Sequence, residues 1–163
     1  MKHCMECGTK LISKLHEHEG MIPFCPSCND YRFPVYASAV SMVVVNKDLT
    51  KTLLIKQYGR DLDILVAGYI NKGESAEEAV YRELKEEVGL TPISIKFQKS
   101  CYWEKSNALL FNFLCIVDDE KVTPNHEIDS YKWYDLDEAY NIVDKTRLVG
   151  KFYSYFYGNI VTK

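Results

Sequence analysis

Apolar and polar positions divide the chain near Pro34. Residues 1–33 carry no clear hydrophobic period. From Val35 onward the pattern becomes regular. Val35 to Val45 is rich in β-branched and small apolar residues, Asn46-Lys47-Asp48 signals a turn, and Thr52–Ile55 resumes, which predicts a β-hairpin with a longer loop. Ile64-Leu65-Val66 predicts a short strand ending at Gly68. Residues 75–88 have helical period: Ala76, Val80, Leu84 and Val88 recur in four-residue steps and form one apolar stripe. Ser75 with Glu78 three residues on reads as a capping box, and Gly89 as the residue that ends the helix. Ile93–Cys101, Ala108–Val117 and Tyr131–Tyr134 read as strands. Asp135 or Asp137 is placed to cap a helix through Ile142-Val143. Thr146 is placed to cap a last helix carrying Val149, Phe152, Tyr153 and Phe156, an aromatic run best explained by packing on the core. Strands and helices thus mix, and the expected class is α+β (mixed α/β), a layered fold over residues 35–163 preceded by a small module over 1–33.

Composition narrows the function classes. Of 163 residues, 47% are apolar and 26% charged, which is ordinary globular usage. No run of 18 apolar residues occurs, so no membrane-spanning helix is expected. The start, Met1-Lys2-His3-Cys4, lacks an apolar stretch typical of a secretory leader, so a cytoplasmic setting is expected. The net charge of −3 argues against a general nucleic-acid surface, which needs clustered Lys and Arg.

The six cysteines are unevenly placed. Cys4-x2-Cys7 and Cys25-x2-Cys28 form two CxxC pairs 17 residues apart, a zinc-site spacing. Two such pairs supply four thiolates, which suit a closed, structural Zn²⁺ and would hold together a segment too short to fold on its own core. The competing readings are two disulfides or unpaired core cysteines. His3, His16 and His18 are read as ordinary exposed histidines. A zinc ribbon over 1–33 also occurs in nucleic-acid-binding proteins, but here four Lys/Arg balance four Asp/Glu. Cys101 and Cys115, in apolar strands, are expected to be core thiols.

The predicted helix carries the other constellation. Glu83, Glu86 and Glu87 fall within an arc of roughly 100° beside the apolar stripe. Arg82 is four residues from both Glu78 and Glu86 and can bridge to either. The plain alternative is a solvated acidic face. Three like charges on one arc repel unless a cation sits there, and hard carboxylate oxygens suit Mg²⁺ or Mn²⁺ together with substrate phosphates. Residues 68–90 hold six Glu against three Lys/Arg, while the rest of the chain holds 17 of each sign. The formal charge of the protein therefore resides in this segment.

Gly68–Leu90 resembles the Nudix hydrolase signature, Gx5Ex7REUxEExGU with U apolar, at Gly68, Glu74, Arg82, Glu83, Leu84, Glu86, Glu87, Gly89 and Leu90. The resemblance implies an αβα sandwich over about 35–163 and hydrolysis of a nucleoside diphosphate linked to another moiety. It implies Glu86 and Glu87 as the main divalent-metal ligands, with Glu83 joining them or acting on water. Arg82 would orient the carboxylates, with Glu74 and Gly68 supporting the loop. Asn125-His126-Glu127-Ile128, ahead of Trp133, is similar to the family's loop glutamate. Glu127 is thus an added ligand or base, against the alternative of an exposed loop acid, and His126 is an alternative base. The preceding ribbon, with Val66-Ala67-Gly68-Tyr69 and Lys72-Gly73-Glu74-Ser75, resembles the NADH pyrophosphatase branch. That branch implies cleavage of NAD(H) to AMP and a mononucleotide, action on NAD-capped RNA as the one nucleic-acid partner, and a homodimer. It normally carries a further domain before the ribbon. Of its downstream signature SQPWPFPxS, Ser100, Trp103 and the apolar pair Leu109-Leu110 remain, while the Gln, the prolines and the Phe do not. Tyr102 and Trp103 are candidates to stack on a substrate base, with strand-end packing the alternative for Tyr102. Other outcomes are a pyrophosphatase for ADP-ribose, a nucleotide sugar or another dinucleotide, or a non-catalytic nucleotide-sensing or nucleic-acid-binding regulator.

Overall fold

The computed structural model describes residues 2–161 as two compact units, Met1–Tyr36 and Ala37–Lys163. The first unit holds a three-stranded antiparallel sheet of β1 (Ile12–His16), β2 (Gly20–Cys25) and β3 (Asp30–Tyr31). Ile22 and Phe24 are its buried apolar side chains, with Cys4 and Cys25. So few buried groups cannot offset chain entropy unaided. This explains the missing hydrophobic period.

The second unit is built on a mixed sheet of six strands: β4 (Ala37–Asn46), β5 (Lys51–Gln57), β6 (Val66–Tyr69), β7 (Pro92–Trp103), β8 (Ala108–Val117) and β9 (Ile128–Asp135). The order is β7-β8-β4-β5-β9. β4 and β8 run parallel over their whole length, Ala37 opposite Ala108 through Asn46 opposite Val117. The other edge of β4 is shared. Residues 39–42 pair with β6, and Val44 and Val45 pair with β5. The expected hairpin therefore closes only at its turn end, because β6 occupies the rest of the edge. That division brings Gly68 beside the middle of the sheet.

Both faces of the sheet are covered, as the αβα expectation requires. On one face Val40, Met42, Val44, Leu53, Ile55, Phe113 and Cys115 pack against Ala79, Val80, Leu84 and Val88 of α1 (Ala76–Glu83) and the turn after it. On the other, Val43, Val45, Leu54 and Leu114 pack against α2 (Leu136–Ile142) and α3 (Leu148–Phe156). Phe152, Tyr153 and Phe156 are completely buried there, so the aromatic run is core. β4 has eight consecutive buried residues, from Ala39 to Asn46, because it is covered on both sides.

Several local expectations change. The helix that starts at Ser75 does not stay α-helical to residue 88. From Leu84 to Val88 it widens into a π-helical turn that ends at Gly89, whose φ of 73° is left-handed. Thr146 does not cap α3: Arg147 precedes its first turn without a capping side chain. Asp144 instead accepts hydrogen bonds from the Thr146 backbone N–H and hydroxyl, a local turn that competes with a cap. Asp135 precedes α2 but makes no capping hydrogen bond. Cys115 is buried as expected, whereas Cys101 is half-buried. No helix among the described residues is long and apolar enough to cross a membrane.

Candidate active site

Ser75 accepts a hydrogen bond from the Glu78 N–H, and the Glu78 carboxylate accepts one from the Ser75 N–H at 2.8 Å. This capping box starts α1 and occupies Glu78, which therefore does not bridge to Arg82 as the spacing allowed. Arg82 turns the other way. Its Nε and Nη2 donate to the two oxygens of Glu74 at 2.7 and 2.8 Å, a bidentate pair. Nη1 donates to Glu83 at 2.7 Å and to Glu86 at 3.2 Å, and Nη2 also donates to the Tyr69 carbonyl at 2.9 Å. One guanidinium thus ties the loop before the helix to two carboxylates on it. Arg82 holds the Glu74 carboxyl down to about 2, so Glu74 stays charged. The hydrogen bonds to Glu74 in turn raise the Arg82 guanidinium above its usual range.

Glu83 and Glu87 are buried, while Glu86 is exposed. Gly68 explains how Glu83 fits: a Cβ there would lie 1.9 Å from the Glu83 Cδ. Any other residue at 68 displaces that carboxylate. Glu87 accepts a hydrogen bond from Gln57 Nε2 at 3.3 Å. Burial, followed by the charges of Glu83 and Glu127, pushes its carboxyl up to about 8. The loop before β9 delivers Glu127. The Thr123 N–H donates to the Val88 carbonyl at 2.8 Å and the Asn125 N–H to the Glu87 carbonyl at 2.9 Å. Asn125 Oδ1 then accepts from the Glu127 N–H at 2.9 Å. The Tyr58 hydroxyl donates to the Glu127 carboxylate at 2.8 Å.

Glu83, Glu86, Glu87, Glu127 and Gly68 line one cavity of 530 Å³, with Tyr58, Tyr69 and Asn71 on its walls. A second cavity of 360 Å³ shares Ala67 and Leu110 with it, so the two lie side by side. Trp103 lines the second cavity. Tyr102 lines neither: it is exposed, and its hydroxyl donates to Asn107 Oδ1. Adjacent strand residues point to opposite faces, so Tyr102 and Trp103 cannot both face one cavity. His126 is exposed and lines neither. Sequence reasoning did not find Gln57, Tyr58 or Asn71. Gln57 and Tyr58 sit on a strand end and the turn after it, which the motif does not reach, and Asn71 falls at one of the motif's unspecified positions.

The four carboxylates ring a hard, oxygen-only site of the kind that takes Mg²⁺ or Mn²⁺. They stand further apart than the four sulfurs. Among the described residues only Cys4, Cys7, Cys25 and Cys28 bring three or more ligand atoms within 4.8 Å of one another. All four cysteines are free of disulfides. Cys7 lies 3.4 Å from Cys25 and from Cys28, and Cys4 lies 3.9 Å from Cys28. Sulfurs 2.3 Å from a central zinc stand about 3.8 Å apart, so this cluster can hold Zn²⁺. Disulfides would need sulfurs at about 2.05 Å. The Thr9 hydroxyl and N–H hold the Cys7 thiol down to about 6. Cys28, hemmed in by the sulfurs of Cys7 and Cys25, is pushed up to about 12. Arg32 Nε donates to Cys4 Sγ at 3.3 Å, placing a cation against a charge-rich sulfur cluster.

Comparison with known proteins agrees with this geometry. The NUDIX domain model matches residues 35–156. The chain is 27% identical over 137 residues to an NAD-capped RNA hydrolase, NudC, of Pseudomonas aeruginosa, covering 83% of this chain and 48% of that protein. It is 33% identical over 125 residues to the mitochondrial NAD(P)H pyrophosphatase NUDT13 of Mus musculus, covering 71% of this chain and 34% of that protein. The chain thus spans half or less of the length of these relatives. A NUDIX hydrolase structure from Nitrosomonas europaea superposes with a TM-score of 0.67 at 20% identity, over 96% of this chain and 90% of that one, a likeness of fold. With the family model matching most of its length and the signature carboxylates ringing one cavity, the chain belongs to the NUDIX domain family.

Proposed function

We propose that the protein is a metal-dependent hydrolase of the diphosphate bond in a dinucleotide, acting on NAD(H) to give AMP and a mononucleotide. The observation that carries this reading is the placement of Glu83 and Glu87, buried, with Glu86 and Glu127 around one cavity and Arg82 fastening the helix to its loop. The similarity to NudC and NUDT13 supports the substrate class.

Glu83, Glu86 and Glu87 would hold Mg²⁺ or Mn²⁺, which when bound would neutralise diphosphate charge and polarise phosphorus. Glu74 and Arg82 keep the loop at Gly68–Asn71 against the helix, so the carboxylates are positioned before substrate arrives. Glu127 lines the same cavity from the loop before β9 and would take the proton of the attacking water. The water oxygen bonds to one phosphorus, the bridging P–O bond breaks, and the bridging oxygen leaves on the other phosphate. Trp103, in the adjoining cavity, offers a face on which a base can stack. Cys4, Cys7, Cys25 and Cys28 would hold a structural Zn²⁺. The same reading carries a homodimer in solution and a cytoplasmic setting, where reducing conditions keep metal-binding thiols intact.

The test is a panel of NADH, NAD, ADP-ribose and nucleotide sugars incubated with the full chain and Mn²⁺, with products identified by mass spectrometry. AMP and a nicotinamide mononucleotide from NADH are expected. Release from ADP-ribose or sugar nucleotides alone would replace the substrate, and no monophosphate from any of them would contradict the reading.

A further inference from the structure

The second cavity carries a charge pattern opposite to the first. β5 ends at Gln57, and the next two residues, Tyr58 (φ 57°) and Gly59 (φ 65°), are both left-handed. The turn is pinned at three points. The Arg60 N–H donates to the Gln57 carbonyl at 3.2 Å, the Gly59 N–H to Asp129 at 2.6 Å, and the Tyr58 hydroxyl to Glu127. Its consequence is a division of labour over two residues. Tyr58 lines the carboxylate cavity, and Arg60 lines the other.

Arg60, Lys105 and Arg147 all line that second cavity, and no acidic residue does. Arg60 forms no ion pair among the described residues. Arg147 uses Nε on Asp144 at 3.0 Å. Lys105 lies 5.6 Å and Lys151 4.9 Å from the centre of the Trp103 ring. The walls between are apolar, with Leu62, Ile64, Leu65 and Val149 among them. The floor is not wholly apolar. Ser41 lines it, and Asn112, opposite Ser41 in the sheet, is fully buried behind the lining and donates its Nδ2 to the Ser41 carbonyl at 3.0 Å. One exposed cation beside a cavity is an ordinary surface feature. Three around an apolar, tryptophan-lined concavity, of which Arg60 and Lys105 form no ion pair among the described residues, favour an anionic ligand.

We propose that this cavity is a phosphate-reading subsite, in which Arg60, Lys105 and Arg147 receive a phosphate monoester borne on the nucleoside ribose. The preferred substrate class is then a dinucleotide with a phosphate in addition to its scissile diphosphate. This rests on the diphosphate-hydrolase reading of the neighbouring carboxylates. The two ends of such a substrate meet opposite fields: the diphosphate at the metal-binding carboxylates, the extra phosphate at the cations. Guanidinium groups suit that role because they bind phosphate oxygens in pairs.

The test compares kcat/KM for NADPH and NADH, which differ by one ribose phosphate, in the wild type, Arg60→Gln and Lys105→Gln. The wild type is expected to prefer NADPH by about tenfold or more, and each variant to bring the ratio toward one. A wild-type ratio of one or below, or a ratio unchanged in both variants, overturns the proposal. Calorimetric binding of adenosine 2′,5′-bisphosphate against AMP gives a readout independent of turnover. If neither dinucleotide is hydrolysed, the diphosphate-hydrolase reading fails, and this binding pair alone decides. Tighter binding of the bisphosphate that Arg60→Gln abolishes supports the subsite, and equal binding of the two overturns it.

Discussion

At the scale of single residues, two positions carry most of the consequence. Gly68 was legible because it opens a recognisable signature, but the reason for glycine was not: only the packed structure shows the Glu83 carboxylate filling the space of its Cβ. Gly68→Ala should therefore lower kcat by about 10²-fold, the usual effect of a 1 Å misplacement, while circular dichroism shows the fold retained. Glu87 is the other. Its carboxyl, pushed up to about 8 by burial, holds its proton in the folded, metal-free protein at pH values where the unfolded chain has lost it. The folded state binds more protons between about pH 4.5 and 8, so stability falls as pH rises through that window. Metal-free melting temperatures should decline across it, and Glu87→Gln should flatten the decline. Because a divalent cation competes with that proton, Mn²⁺ affinity measured by calorimetry should rise with pH until about 8. A pH-independent affinity would remove Glu87 from the ligand set.

At the scale of elements, period and capping chemistry announced most of the structure, and side-chain competition decided what they missed. Ser75 and Glu78 form the box their spacing suggests, which leaves Arg82 to Glu74, a partner eight residues away that no helical spacing rule points to. The π-helical turn at Leu84–Val88 is also invisible to a four-residue period, since Leu84 and Val88 are buried either way. Thr146 failed as a cap because Asp144, two residues earlier, captures it. The Tyr58–Arg60 turn carries no motif, and its role depends on contacts to Glu127 and Asp129 about 70 residues on. Two predictions belong here. Arg82→Lys keeps the charge but cannot hold Glu74 bidentately, so kcat/KM should fall sharply with a smaller change in melting temperature. Phe152→Ala, at a fully buried position of α3, should cost about 3–5 kcal/mol in denaturant unfolding, with the metal-site carboxylates untouched.

At the scale of the whole molecule, the six cysteines and the net charge sort into separate jobs. Four cysteines converge in Met1–Tyr36, and the acidic excess lies in the segment that lines the carboxylate cavity. The first unit buries too little apolar surface to persist alone, so its order should depend on metal. Elemental analysis should find one zinc per chain, and Cys25→Ser should lose it, with amide protection disappearing from residues 2–36 but surviving in β4 and β8. Retained protection in the variant would make the sulfur cluster dispensable. The apolar run at β4 marked a strand and the family resemblance implied the helical cover on both faces, whereas the sharing of the β4 edge between β5 and β6 was not legible, because strand partners are chosen by three-dimensional packing. The central claim, that the ring of glutamates performs divalent-metal hydrolysis of a dinucleotide diphosphate, is most directly tested at Glu86, whose exposure lets it be changed without disturbing the core. The measurement is Mn²⁺-dependent release of AMP from NADH by the full chain and by Glu86→Gln, with melting temperature recorded for both. The wild type should release AMP and the variant should not, at equal stability. AMP release that survives in Glu86→Gln would contradict the account.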